Sequence, residues 1–102
     1  MAEVRLTNEF SSWLAGLRDS SAKARVLVRM DRLQLGLAGD AKPVGRKVWE
    51  LRIDYGPGYR VYFTWRGREV VVLLAGGDKR TQSRDIERAQ ALAGKLEVEA
   101  DD

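Results

Sequence analysis

Apolar residues recur at helical spacing in two segments near the start of the chain. The first stripe, spaced like one face of a helix, consists of Phe10, Trp13, Leu14 and Leu17. The second, on a helix predicted over residues 22–35, consists of Val26, Met30, Leu33 and Leu37. Thr7 or Asn8 can cap the first helix, and Gly36 stands where a helix commonly ends in a left-handed glycine. Two helices this close in sequence are predicted to form a helical hairpin.

Most of the other apolar residues follow strand patterns. Alternation of apolar and polar residues predicts three strands, and a continuous apolar run is typical of a fourth that is covered on both faces. The predicted strands are Val4–Thr7, Val48–Ile53, Tyr59–Arg66 and Val70–Ala75. Residues 36–47, with three glycines and three basic side chains, are expected to form a loop. Thr81 or Ser83 can cap a last helix, whose apolar stripe ends near Leu96.

The order of these elements, β-α-α-β-β-β-α, predicts the class of fold. We expect an α+β domain in which the two N-terminal helices pack on one face of a mainly antiparallel sheet. The opposite face is predicted to be polar and half exposed, because strand periodicity places one set of polar side chains there together. That set consists of Arg52, Arg60, Tyr62 and Thr64. The tryptophans Trp13, Trp49 and Trp65 are expected in the core.

The length of 102 residues is typical of a single domain. We expect this domain to span residues 1–96 and to be followed by an acidic tail, 97–102, that frays. No apolar run approaches the ~20 residues of a membrane span. The residues after Met1 also lack the apolar core of a secretory signal. We therefore expect a cytoplasmic protein.

Two absences from the composition restrict the chemistry that is available. The chain contains neither cysteine nor histidine. Disulfides, cysteine nucleophiles, Ser-His-Asp triads and zinc sites of ordinary ligand composition are therefore excluded. An enzyme built from this sequence must take its acids and bases from Asp, Glu, Lys or Tyr, because arginine does not release its proton at working pH. We expect neither a metal nor a cofactor.

The net charge of +3 hides a more basic body. Four of the 15 acidic residues lie in the last six positions, so residues 1–96 carry 18 basic and 11 acidic side chains. Thirteen of the basic residues are arginine, whose planar fork suits phosphate. This balance predicts a polyanion or an acidic protein as partner, although a solvated basic surface accounts for the charge equally well.

Two long segments, in order, resemble a known family. They are Glu50–Phe63, which reads ELRIDYGPGYRVYF, and Leu73–Gln82, which reads LLAGGDKRTQ. Together with Phe10–Asp19 and the loop Gly39–Gly45, they resemble the HigB-like branch of the RelE/ParE toxin superfamily, also called addiction-module killer proteins. The resemblance implies a small α+β toxin of a type II toxin-antitoxin system. It also implies cleavage of mRNA in the ribosomal A site, without metal or cofactor.

The resemblance also assigns roles to individual residues. Arg60 matches the strand arginine that contacts the scissile phosphate, and Arg80 or Lys79 matches a basic pair at the end of the last strand. Tyr62 or Lys79 is expected to handle a proton, since Ser83–Ile86 stands where RelE relatives often place an active-site tyrosine. Nearby basic residues are expected to bind RNA. They are Arg52, Lys47, Arg46 and Lys42.

The implied partners are a cognate antitoxin, the ribosome and mRNA. The antitoxin is expected to be a HigA-like helix-turn-helix protein, so that DNA is contacted only indirectly, through the toxin-antitoxin complex. Two alternatives stay open at this point. A ParE-like toxin would inhibit DNA gyrase by protein contact and would not require Arg60, whereas a degenerate toxin would only bind its antitoxin and would not arrest growth.

Overall fold

The structure is a computed structural model that describes the backbone of residues 1–100 and the side chains of residues 1–96. Within this part of the chain, five strands and three α-helices are formed. They are β1 (Glu3–Leu6), α1 (Asn8–Ala15), α2 (Ser20–Gln34), β2 (Ala41–Pro43), β3 (Val48–Ile53), β4 (Tyr59–Arg66), β5 (Val70–Asp78) and α3 (Gln82–Ala100). A short 3-10 helix, Lys79–Thr81, joins β5 to α3. The predicted α+β class is confirmed.

The five strands form one sheet in the order β1-β5-β4-β3-β2. Only β1, paired with β5, runs parallel to its neighbour, so the prediction of a mainly antiparallel sheet is confirmed. Strand β2 lies within residues 36–47, where a loop was expected, and that prediction is wrong there. A three-residue strand ending in Pro43 is too short to show alternation, and proline is tolerated at a sheet edge.

Both faces of the sheet are covered by helices, and the prediction of a half-exposed polar face is wrong. Phe10 of α1 and Val26 of α2 pack on one face of the sheet. Ala89 and Ala93 of α3 pack on the other face together with Tyr62. As a result, three of the four predicted surface residues of this face are buried. They are Arg60, Tyr62 and Thr64.

A few predicted side-chain positions differ from the structure at the ends of elements. Trp13 and Trp65 pack, as expected, against the apolar cluster that contains Phe10 and Val26. Trp49 is instead 38% exposed, beside the short edge strand β2. Leu37 is also exposed, because α2 ends before it. Gly36 has a φ of 83°, so the prediction that a left-handed glycine follows α2 is confirmed.

The N-cap side chains of α1 and α2 also form hydrogen bonds with other parts of the fold. The hydroxyl of Thr7 accepts the N–H of Phe10 at 3.0 Å and donates to the carbonyl of Leu74 at 2.7 Å, which ties α1 to β5. Asp19 caps α2 by accepting the N–H groups of Ser21 and Ala22 at 2.9 and 3.2 Å. These caps fix where α1 and α2 begin.

Asp19→Ala is expected to lower the melting temperature at neutral pH. The backbone hydrogen bond from Ala22, followed by the hydroxyl of Tyr55, lowers the pKa of Asp19. A carboxyl group with a lowered pKa stabilises the fold above its unfolded pKa, and this contribution is lost as the pH falls below about 4. Thermal melts between pH 3 and 7 should therefore show a gap between variant and wild type that closes in acid. Asp31→Ala, on the exposed side of α2, is the control and should show no such pH-dependent gap.

At the C-terminus, the backbone of α3 is described as far as Ala100. The side chains of 97–100 and the whole of residues 101 and 102 lie outside the described part, so the frayed tail over 97–102 stays a prediction, as does a single domain over 1–96. As far as they are described, none of the helices combines the length and the apolar character needed to cross a membrane.

Candidate functional site

One end of the sheet carries an open cleft of about 350 Å³. It lies where β3 ends, where the turn 54–58 leads into β4, and where β5 passes into the 3-10 helix. Its lining residues are Asp40, Arg52, Asp54, Gly56, Pro57, Gly58, Arg60 and Lys79. We call this the basic cleft. Arg52 and Arg60 meet there because they are directly paired across β3 and β4. The cleft thus brings together three of the residues proposed from the sequence, namely Arg52, Arg60 and Lys79.

Gly58 allows the two strand ends to approach. Its φ is 81°, a left-handed conformation that glycine adopts without strain. A Cβ atom at this position would lie 3.2 Å from Cγ of Lys79 and 3.5 Å from Nη1 of Arg60. Lys79 and Arg60 therefore approach each other across the space that the missing side chain leaves.

Arg60 is held at the floor of the basic cleft and is only 6% exposed. Its Nη1 donates to the carbonyl oxygens of Gly58 and Tyr59 at 3.2 and 3.1 Å. Its Nε lies 3.8 Å from Oε1 of Glu50. A guanidinium fixed in this way presents its charge in a set orientation, which suits a site that stabilises a developing anion.

Arg52, at the wall of the cleft, is paired with an aspartate. Its Nε and Nη2 donate to Oδ1 of Asp40 at 3.1 and 2.9 Å, and this hydrogen bond raises the pKa of Arg52. Arg29 of α2 links the end of β3 to the loop before β2, because it donates to the carbonyl of Arg52 at 2.7 Å and to the carbonyl of Ala38 at 3.0 Å. The wall is therefore ordered by α2 as well as by the sheet.

Lys79 and Asp54 differ from these paired groups. Both are exposed, and within residues 1–96 neither side chain has a hydrogen-bond or ion-pair partner. They are a cation and a carboxylate on the same cleft that remain available to a ligand. A lysine ammonium can donate a proton and a carboxylate can accept one, so the cleft holds both functions.

Arg80 does not line the cleft. Its guanidinium is 80% exposed and forms an ion pair of 2.9 Å with Asp78, whose carboxylate also accepts the backbone N–H of Arg80 at 2.8 Å. The side-chain hydrogen bond from Arg80 lowers the pKa of Asp78. Nε of Arg80 also donates to Oδ1 of Asp78 at 3.2 Å, so the pair is bidentate and another anion would have to compete with Asp78 for Arg80.

The other predicted RNA-binding residues also lie outside the basic cleft. Lys42, on β2, is half exposed, and its Nζ is 4.0 Å from Oε1 of Glu50. Arg46 and Lys47 form the turn before β3, with φ values of 54° and 66°. The structure therefore groups Arg52 with the catalytic candidates and leaves these three on the neighbouring edge of the sheet.

Tyr62 is fully buried beneath α3, and its hydroxyl donates to Oε2 of Glu50 at 3.1 Å. Burial, followed by the charge of Glu50, raises the pKa of Tyr62 well above its ordinary value. A phenol that is shielded from solvent and holds its proton more tightly is poorly placed to exchange one with a ligand. This geometry favours Lys79 over Tyr62 as the group that handles a proton.

Tyr62→Phe is expected to keep the rate of RNA cleavage within about threefold of wild type, while a lost buried hydrogen bond costs roughly 1 kcal/mol of stability. The comparison is made between single-turnover rates on ribosome-bound mRNA and between melting temperatures. A variant as stable as wild type but more than 100-fold slower would restore Tyr62 as a catalytic residue.

Sequence reasoning missed three carboxylates of this region, Asp40, Glu50 and Asp54. Asp40 lies in a predicted loop, where nothing in the local pattern indicates a partner 12 residues away. Glu50 gave a weak signal, because it shares a strand face with Tyr62 and Arg52 and is paired with Tyr62 across β3 and β4. Only the docking of α3 shows that this face is buried.

Two other grooves, both among the described residues, contain none of the predicted site residues. One of about 630 Å³ lies near the N-terminus and the end of α2, and one of about 690 Å³ lies between α1 and α3. Within the described residues, no group of three or more carboxylates is placed to hold a metal ion. The basic cleft is therefore the candidate site.

Comparison with solved structures identifies the class of fold. The chain is similar to the Escherichia coli toxin RelE, determined in the free state as a double-arginine mutant, with a TM-score of 0.64 and 16% sequence identity. The similarity covers 86% of this chain and 98% of that one. The chain therefore has a RelE-like fold, as the resemblance predicted.

Comparison of sequences identifies the family. Residues 12–93 match the family described as "Phage derived protein Gp49-like (DUF891)". An uncharacterized protein of Haemophilus influenzae is 47% identical over 94 residues, which cover 92% of this chain and 95% of that protein. The chain belongs to the Gp49-like family of phage-derived proteins.

Proposed function

We propose that this chain is the toxin of a type II toxin-antitoxin pair, of the HigB-like branch, and that it cleaves mRNA on the translating ribosome. The observation that carries the proposal is the basic cleft, which is lined by both the buried guanidinium of Arg60 and the unpaired side chain of Lys79. The RelE-like fold and the motif around Arg60 support the same function.

The proposed reaction is an in-line attack of a ribose 2′-hydroxyl on the adjacent phosphate. Arg60, with Arg52 at the wall, stabilises the negative charge that develops on the phosphorane oxygens, because its guanidinium keeps its charge and is held in a set orientation. Lys79 donates a proton to the leaving 5′-oxygen, and Asp54 is the unpaired carboxylate that can accept the proton of the 2′-hydroxyl. Arg80, next to Lys79, contributes charge from outside the cleft.

The requirement for the ribosome follows from how open the cleft is. Lys79 and Asp54 are exposed, and Arg52 is 43% exposed and already paired with Asp40. Such a surface supplies charge but does not by itself bend RNA into an in-line geometry, which is a large part of the barrier. We expect the ribosome to present the bent substrate. Rapid cleavage of naked RNA would contradict the proposal that the ribosome supplies the substrate geometry and the cleft supplies the charge.

The proposed partners are an antitoxin and the ribosome. The basic body of the chain favours an acidic segment of the antitoxin, for which we propose a HigA-like helix-turn-helix protein. Contact with DNA would then pass through that protein. A cytoplasmic location is part of the same proposal.

Lys79→Ala is expected to slow single-turnover cleavage of ribosome-bound mRNA by roughly 10²- to 10⁴-fold, the usual range for a lost general acid. Lys79→Arg should restore ribosome affinity but not the rate, since arginine keeps the charge and does not release a proton. Lys95→Ala, an exposed lysine of α3 outside the cleft, is the control. Full activity in Lys79→Arg would show that Lys79 acts through charge alone.

The function itself is tested by inducing the chain in cells and mapping new 5′ ends of mRNA during growth arrest. Cleavage at codons in translated messages is the expected result. Growth arrest without cleavage, accompanied by a loss of supercoiling by purified gyrase, would support a ParE-like toxin instead. Absence of growth arrest would support a degenerate toxin.

A further inference from the structure

A buried polar cluster lies beneath the basic cleft, between the sheet and the start of α3. Its centre is Glu50, whose side chain is completely shielded from solvent. Oε2 of Glu50 accepts hydrogen bonds from the hydroxyl of Tyr62 at 3.1 Å and from Nε2 of Gln82 at 2.8 Å. Oε1 faces two cations, Arg60 at 3.8 Å and Lys42 at 4.0 Å. One acidic side chain thus connects β2, β4 and α3.

Two polar atoms of this cluster are buried without a hydrogen bond. They are Oε1 of Glu50 and Nε of Arg60, and they face each other. Buried polar atoms are paired in the great majority of cases, so this pair calls for an explanation. An N–H donor and a carboxylate bond at about 2.9 Å, so a displacement of about 1 Å would complete the contact.

We propose that Glu50 is the positioning residue of Arg60: its buried carboxylate sets the orientation in which the guanidinium meets a phosphate in the basic cleft. The inference rests on the proposed function, because it concerns the residue that contacts the scissile phosphate. Glu50 contacts no substrate itself. Its Oε1 faces Nε of Arg60 at 3.8 Å, and completion of this bond would fix the orientation of the guanidinium when the anion binds.

A purely structural role explains this cluster less well. Burying an acid is costly, and well-packed apolar residues are often as stable as a buried ion pair. Tyr62 and Gln82 need only a neutral acceptor, which an amide oxygen would also provide. Only Arg60 and Lys42 require a negative charge at this position, and Arg60 is the one that reaches into the cleft.

The test compares Glu50→Gln with Tyr62→Phe. Glu50→Gln keeps the shape and an acceptor but removes the charge that faces Arg60. Tyr62→Phe removes another hydrogen bond of the same buried carboxylate and leaves the Glu50–Arg60 pair in place, so it is the matched control. In ¹⁵N-labelled protein, hydrogen exchange of the Arg60 Nε–H is expected to be faster in Glu50→Gln than in wild type or Tyr62→Phe. This readout does not depend on any activity.

Kinetics supply the second readout. Glu50→Gln is expected to lower the single-turnover rate on ribosome-bound mRNA by about 10- to 100-fold, the effect of misplacing a catalytic group by about 1 Å. It should cause no further loss in an Arg60→Lys background, because the two residues act as one unit. Additive losses in this double-mutant cycle would overturn the proposal, as would unchanged Arg60 exchange.

Glu50→Asp is the second variant should Glu50→Gln fold poorly. It keeps the charge but withdraws the carboxylate by one methylene, and intermediate exchange and an intermediate rate are expected. Wild-type exchange in Glu50→Asp together with a wild-type rate would contradict the proposal. If wild-type protein cleaves no mRNA, the proposed function fails, and the exchange measurement still decides whether Glu50 positions Arg60.

Discussion

Arg60→Lys is expected to slow ribosome-dependent mRNA cleavage by about 100-fold or more, the usual cost of removing one preorganised donor from a site of developing charge. Lysine keeps a positive charge near Glu50, so the buried carboxylate is not left without a counter-ion. It loses the planar guanidinium, of which Nη2 is the nitrogen left for a phosphate while Nη1 bonds to the carbonyls of Gly58 and Tyr59. The measurement is the single-turnover rate on a message with a defined A-site codon.

Two controls separate this effect from a general loss of structure or charge. The melting temperature of Arg60→Lys should fall by only a few degrees, whereas Arg60→Ala would remove the nearer of the two cations that face the buried Glu50 and should unfold more easily. Arg68→Lys, in the groove near the N-terminus, makes the same chemical change outside the basic cleft and should leave the rate unchanged. Equal rates for Arg60→Lys and wild type would remove Arg60 from the site.

Gly76→Ala is expected to destabilise the fold by roughly 2–3 kcal/mol through overpacking. A Cβ atom at Gly76 would lie 2.2 Å from Cε3 of Trp13, far inside any normal contact. The indole cannot move aside freely, since its ring packs against Phe10 and Tyr59 with centroids 5.7 and 6.3 Å apart. Chemical denaturation measures the loss directly, as a lower midpoint at an unchanged slope.

Gly94→Ala is the matched control for this prediction. Gly94 lies within α3, and nothing stands within 4 Å of the position where a Cβ would be added. Alanine is favoured over glycine inside a helix, so this variant should gain about 0.5–1 kcal/mol. The same substitution is thus expected to change stability in opposite directions at the two positions. A Gly76→Ala protein as stable as wild type would mean that Trp13 does not pack against β5 as described.

Periodicity predicted most of the elements, but it did not show what covers each sheet face. The alternation of β3 and β4 correctly placed Arg52 and Arg60 on the same face of the sheet, because successive side chains of a strand point to opposite faces. It could not show that α3 folds over Tyr62 on the same side. The apolar stripe of α3 required a partner surface, and that surface is the face that was expected to be polar.

The candidate site depended on contacts that no local pattern contains. The resemblance singled out Arg60 and Lys79, but the pairing of Arg52 with Asp40 needs the path of the loop before β2. The same holds for Arg60 and Glu50, which meet only because β4 pairs with β3. Ion pairs between distant positions are set by tertiary structure, and a sequence records only that both charges exist.

The arginines in and beside the basic cleft differ from Lys79 in having a carboxylate partner. Arg52, Arg60 and Arg80 each face a carboxylate, whereas Lys79 has no such partner among the described residues. Arg52, whose ion pair with Asp40 is exposed at both residues, can exchange the aspartate for a phosphate at small cost, since exposed ion pairs contribute little. The buried pair at Arg60 does not open in this way, and it fixes the geometry at the floor of the cleft.

The most direct test of the central claim is the chemistry of the cut in a purified translation system. Wild-type protein is incubated with ribosomes that carry a defined A-site codon, using either an ordinary message or one with a single 2′-deoxy nucleotide at the mapped cleavage site. We predict cleavage that requires ribosomes, yields a 2′,3′-cyclic phosphate and a 5′-hydroxyl, and stops when the 2′-hydroxyl is removed. Cleavage of the deoxy message, or no cleavage of either message, would contradict the account.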